Sequence, residues 1–164
     1  MFVPLTYRAD KEYLRKYFWK NYMKGEWHEF NNPRLIWWKL YVGHPKGTII
    51  NDNTNVEIVY PIIEELGILG LHISPRFSYQ FANTRLEPHF DIDDIVGINI
   101  NLMEDNKCII HLEGKPHQYE CALIDVGGTE HSVEPMNFDR LILKLAIREP
   151  WEKIYNRLDD AGWI

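Results

Sequence analysis

Apolar residues recur at two different periods along this chain, and the change of period divides it. From Asp10 to Lys24 they return at helical spacing through Tyr13, Leu14, Tyr17, Phe18 and then Tyr22 or Met23. Asp10 suits an N-cap and Gly25 a stop. A strand is expected over residues 34–42, Arg-Leu-Ile-Trp-Trp-Lys-Leu-Tyr-Val. A second helix is expected over 56–66, with Asn55 near its start and Gly67 just past its end. Pro61 should kink that helix or open a shorter one.

From about residue 68 the period becomes two. Short strands are expected at Leu69 to Ile73, Arg76 to Phe81 and Thr84 to Phe90. Gly97 to Met103 alternates cleanly, with Ile98, Ile100 and Leu102 on one face and Asn99 and Asn101 on the other. Lys107 to Leu112 and Tyr119 to Val126 follow, joined by a turn at Glu113-Gly114-Lys115-Pro116. Gly127-Gly128 marks another turn, just before His131. In the last strand, Leu141, Leu143, Leu145 and Ile147 make one apolar face, suited to lying under a helix. The other face carries Arg140, Ile142, Lys144 and Ala146, as a wall of a polar cavity would. Pro150 should open a short closing helix over 149–160.

Helices followed by many short strands predict an α+β fold. Its core would be a double-stranded β-helix, jelly-roll or cupin-like, with the N-terminal helices packed on one sheet. At 164 residues one domain is expected over 1–164, helical to about 67 and β from about 68 to 148. A hydrophobic content of 45% excludes a disordered chain. No apolar run has the length of a membrane span, and the N-terminus lacks the pattern of a signal peptide, so the expected setting is cytoplasmic. A net charge of −6 argues against a duplex nucleic-acid partner. The basic stretch Lys11, Arg15, Lys16, Lys20 and Lys24 reads as a solvated helix face. Cys108 and Cys121 lack metal-ligand spacing and read as buried thiols facing each other across a hairpin.

Two short motifs fit one site. His89-Phe90-Asp91 is the first; His131-Ser132-Val133, with Arg140 nine residues after His131, is the second. A His-x-Asp triplet alone is weak in a chain with 7 histidines. The conjunction is stronger. Two imidazoles and a carboxylate can hold one face of Fe(II) and leave other positions open. An arginine at the start of a nearby strand can grip the far carboxylate of an organic acid in a bidentate pair. His111 and His117 lie six apart across a turn, a spacing that is more often accidental.

These residues resemble the Fe(II)/2-oxoglutarate-dependent oxygenases, over about residues 68–148. The segment Glu130 to Val133, with Asp139-Arg140-Leu141-Ile142-Leu143, is similar to the distal-histidine region of the prolyl and aspartyl/asparaginyl hydroxylase branches. The resemblance implies that His89, Asp91 and His131 bind the iron and that Arg140 holds 2-oxoglutarate. It further implies that O2 is consumed, succinate and CO2 are released, and an unactivated C–H bond is hydroxylated. The prolyl and asparaginyl branches point to an amino-acid or protein side chain as substrate. Where many members carry a Ser or Thr two residues after the arginine, this chain has Ile142. A second hydrogen bond to the diacid must then come from elsewhere, with Tyr79 and Asn99 as candidates. Two rivals remain: a cupin-type metalloenzyme that does not use 2-oxoglutarate, and a non-catalytic jelly-roll binding module. The oligomeric state is not legible in the sequence.

Overall fold

Two antiparallel sheets face each other in a computed structural model that describes residues 1–21, 27–29, 35–39, 56–92, 95–105 and 108–164. In chain order, β1 (Phe2–Pro4) leads to α1 (Lys11–Asn21), β2 (Trp27–Glu29), β3 (Leu35–Lys39) and α2 (Val56–Glu65). The β region follows as β4 (Ile73–Gln80), β5 (Leu86–His89), β6 (Val96–Asn101), β7 (Ile109–Leu112), β8 (Lys115–Gln118), β9 (Cys121–Ile124), β10 (His131–Val133) and β11 (Arg140–Ile147). Helix α3 (Trp151–Asp160) closes the chain. The larger sheet runs β1-β9-β6-β11-β4-β3-β2 and the smaller β5-β10-β7-β8. This is the expected α+β jelly-roll arrangement. No helix among the described residues is long and apolar enough to cross a membrane.

Local chemistry explains the helix ends. The Tyr13 N–H donates to the Asp10 carboxylate at 3.0 Å, which is the expected N-cap. Helix α2 runs on through Pro61 rather than starting there. It stops at Gly67, whose φ of +73° suits a residue without Cβ. Gly67 and Ile68 then donate to the carbonyls of Glu64 and Ile63, closing the end.

The outer face of the large sheet carries the main core. Leu14 and Phe18 of α1, Ile62 and Ile63 of α2, and Ile154 and Leu158 of α3 pack there against Phe77, Ile98, Leu143 and Leu145. So α3 shares the helical layer with the N-terminal helices. A second cluster, with Ile110, Leu112, Ile124 and Ile142, fills the space between the sheets.

Several expectations need correction. The two strands expected between 69 and 81 are one continuous strand, β4, and Pro75 sits inside it opposite Leu145. Strands β1, β2, β8 and β10 are new. Strand β8 begins where a turn was expected, because the turn is tighter: Glu113 and Gly114 both have positive φ, as a two-residue hairpin requires. Cys108 and Cys121 are both free and buried, but they belong to different core clusters and do not face each other. The expected roles of Tyr22, Met23, Lys24, Gly25 and Asn55 fall outside the described residues.

Candidate active site

Strand pairing brings the first motif to the second. His131 opens β10 directly opposite His89, the last residue of β5. Asp91 lies two residues past β5, where its N–H donates to the Val126 carbonyl at 3.0 Å. That bond turns the carboxylate back over the strand ends. Asp91 Oδ1 lies 3.3 Å from His89 Nε2 and 3.6 Å from His131 Nε2. The two rings are 4.2 Å apart between centroids. Ligand atoms of all three residues lie within 4.8 Å of one another.

Both imidazoles are held in the orientation that a metal needs. His89 Nδ1 bonds the Glu87 carbonyl at 2.7 Å, and His131 Nδ1 bonds the Thr129 carbonyl at 3.1 Å. A carbonyl only accepts, so each Nδ1 carries a hydrogen and each Nε2, turned toward Asp91, is the ring atom placed to meet a metal. Backbone carbonyls are common outer partners of metal-binding histidines. The donor set therefore fits a divalent transition metal. Burial pushes the Asp91 carboxyl up, but the bonds from His131 and His89 and the charge of Lys144 outweigh it and hold it well below the usual carboxylate range.

The triad lines a small cavity of ≈ 30 Å³ between the sheets, and Arg140, Asn99, Ser78 and Lys144 line it too. Arg140 is only 3% exposed. Its Nη2 donates to the Tyr119 hydroxyl at 2.6 Å, and the Cys108 thiol lies within hydrogen-bonding reach. Its Nε has no hydrogen-bond partner among the described residues. Among the described residues, then, this buried guanidinium is bonded by neutral groups, with no carboxylate to balance it. Asn99 lines the same space, with a buried Oδ1 that has no partner among the described residues. Burial pushes the Tyr119 phenol up to about 12, so it is a neutral hydroxyl here.

Of the residues expected from sequence, His89, Asp91, His131, Arg140 and Asn99 meet at this cavity. Tyr79 does not. Its register partner is Leu141, so it shares the outer face of β4, packs in the helix-covered core and bonds Asp139 Oδ2 at 2.5 Å. Strand parity explains the correction: Ser78 and Gln80 point inward, and Tyr79 between them points outward. Tyr119 supplies the tyrosine instead, reaching in from the hairpin ahead of β9. No spacing in the sequence marks it. Lys144 was legible as an inward residue by its alternation with Arg140 and Ile142, but not as a partner of Asp91, whose Oδ2 its ammonium contacts. His111 and His117 join no metal-capable group among the described residues.

No family model matches the sequence, and no curated protein matches it significantly. Solved structures do. A Pseudomonas putida prolyl-4-hydroxylase is similar over 92% of this chain and 92% of its own, at a TM-score of 0.63 and 14% identity. The chain has the prolyl-hydroxylase fold. A Trichoplax adhaerens prolyl hydroxylase, solved with a peptide fragment of a hypoxia-inducible factor degradation domain, is similar over 95% of this chain and 85% of its own. Its TM-score is 0.59 and its identity 13%. The DMSP lyase DddQ of Ruegeria pomeroyi is also similar, over 92% of this chain and 69% of its own, at a TM-score of 0.56 and 12% identity. One fold thus carries hydroxylases and a lyase, so the reaction has to be argued from the residues.

Proposed function

We propose that this chain is an Fe(II)- and 2-oxoglutarate-dependent dioxygenase that hydroxylates an unactivated C–H bond, with release of succinate and CO2. The observation that carries the reading is Arg140: a buried guanidinium whose partners among the described residues are neutral, lining the same cavity as a His-Asp-His triad whose ligand atoms converge. A metal alone gives that arginine nothing to bind, whereas a dicarboxylate answers both ends of the cavity.

In this reading His89, Asp91 and His131 hold the iron, which when bound supplies the activation of O2. Arg140 holds the far carboxylate of the 2-oxo diacid, and the Tyr119 hydroxyl steadies the guanidinium from behind. The amide of Asn99 offers a further polar contact. Arg140 stays charged at any working pH, so its task is positioning rather than proton transfer. A cavity of ≈ 30 Å³ is too small for a diacid, so diacid entry requires its lining groups to shift. The substrate is an amino-acid or protein side chain, a reading supported by the peptide bound to the Trichoplax enzyme. The cytoplasm is the proposed location.

A cupin-type metalloenzyme is the second reading, favoured by the likeness to a lyase. The test is an anaerobic titration of the protein with Fe(II) and then 2-oxoglutarate, watching for the weak visible charge-transfer band of the chelate. The band is expected, and Arg140→Ala should remove it. Iron binding without the band would favour the cupin-type reading. Binding of neither would make this a non-catalytic module.

A further inference from the structure

We infer that Lys144 makes metal binding at this site depend on an anionic ligand. The inference rests on the metal site proposed above and adds a residue to it.

Lys144 is only 4% exposed. It lies mid-way along β11, in register with Asn99 on one side and Arg76 on the other. From the large sheet its ammonium crosses to Asp91 Oδ2, while Asp91 Oδ1 faces the two imidazoles. The carboxylate is therefore divided, with one oxygen for the lysine and the other for a metal.

The sheet is shaped for that reach. A Cβ at Gly97 of β6 would come within 3.2 Å of Lys144 Cε, so the missing side chain leaves the channel through which the lysine stem passes. Glycine weakens a strand interior, and here the space that it leaves is used by a buried charge.

Charge then sets the consequence. Among the described residues lining the cavity, Asp91 is the carboxylate, and it is outweighed by the buried cations Arg140 and Lys144. A divalent ion placed at the triad meets the Lys144 ammonium on the same carboxylate, in a space where water screens little. Lys144 thus opposes the ion alone. A dianionic ligand removes the opposition, because its negative charge lies between the lysine, the arginine and the ion. The coupling is reciprocal: the diacid binds poorly without the ion, and the ion poorly without the diacid.

The test measures Mn(II) binding to the full chain by the electron paramagnetic resonance signal of free Mn(II), with and without 2-oxoglutarate. In Lys144→Met, Mn(II) alone should bind at least about tenfold more tightly than in wild type. The tightening caused by 2-oxoglutarate should be at least about tenfold smaller. Gly97→Ala pushes the lysine stem aside without removing the charge and should act in the same direction, more weakly. It carries the test if Lys144→Met does not fold. Unchanged Mn(II) affinity and unchanged coupling in these variants, with wild-type coupling present, would overturn the inference and leave the proposed function standing. A wild type that binds no Mn(II) with or without 2-oxoglutarate overturns both.

Discussion

Arg140 donates to the Tyr119 hydroxyl at 2.6 Å, and this bond joins the last long strand to the hairpin ahead of β9 inside the cavity. A charged donor makes the bond stronger than a neutral one and fixes the plane of the guanidinium. In Arg140→Ala the dissociation constant for 2-oxoglutarate should rise at least about tenfold, a loss of roughly 1.4 kcal/mol or more. Fe(II) binding should persist. Tyr119→Phe should cost less, about three- to tenfold, because the arginine remains but is less well oriented. Calorimetric titration of each variant with the diacid checks both values, and an unchanged affinity in Arg140→Ala would remove that residue from the site.

Asp91 serves both the imidazoles and Lys144. Asp91→Asn should therefore lose Fe(II)-dependent turnover and also lower stability, since it leaves Lys144 as a buried cation without its carboxylate. Breaking a buried pair from one side costs about 3 kcal/mol or more. Adding Lys144→Met to Asp91→Asn should recover most of that stability without restoring metal binding. Denaturant melts of the two single variants and the double variant decide this, and simple additivity of the losses would refute it.

Tyr79 belongs to the scaffold. Its hydroxyl donates to Asp139 Oδ2, and Asp139 Oδ1 accepts the Ala82 N–H at 2.8 Å. Tyr79→Phe should lower stability by about 1 to 3 kcal/mol. Affinities for metal and diacid should stay within about twofold of wild type, since the residue faces away from the cavity. A large change in diacid affinity would return Tyr79 to the site.

Alkaline pH tests the burial of Tyr119. Its phenol titrates at about 12, pushed up from 10.0 mainly by burial. A group whose folded value is raised lends stability that is complete below the unfolded value and is lost as pH rises through the folded one. Melting temperature should therefore fall between about pH 10 and 12, and fall less steeply in Tyr119→Phe. Tyr7 and Cys121 are also raised and share the alkaline loss, so the difference between the two proteins is the informative quantity. Parallel profiles would show that Tyr119 is not buried as a neutral phenol.

The sequence by itself determined what local rules control. Helical spacing behind Asp10 set α1, the Gly67 stop set the end of α2, and alternation after Ile68 announced the strands. Alternation also told that Arg140, Ile142 and Lys144 share one face of β11, and motif order put His89, Asp91 and His131 forward as a group. Tertiary structure decided the rest, because the deciding contacts join segments far apart in the chain. Whether Tyr79 faced the cavity depended on the register of β4 against β11, where a slip of one residue would give the opposite result. Strand β10 has three residues, too few to show a period, and is held in place by β5 and β7 on either side. Tyr119 reaches Arg140 and Lys144 reaches Asp91 only after two sheets close on each other, and no local pattern carries that information.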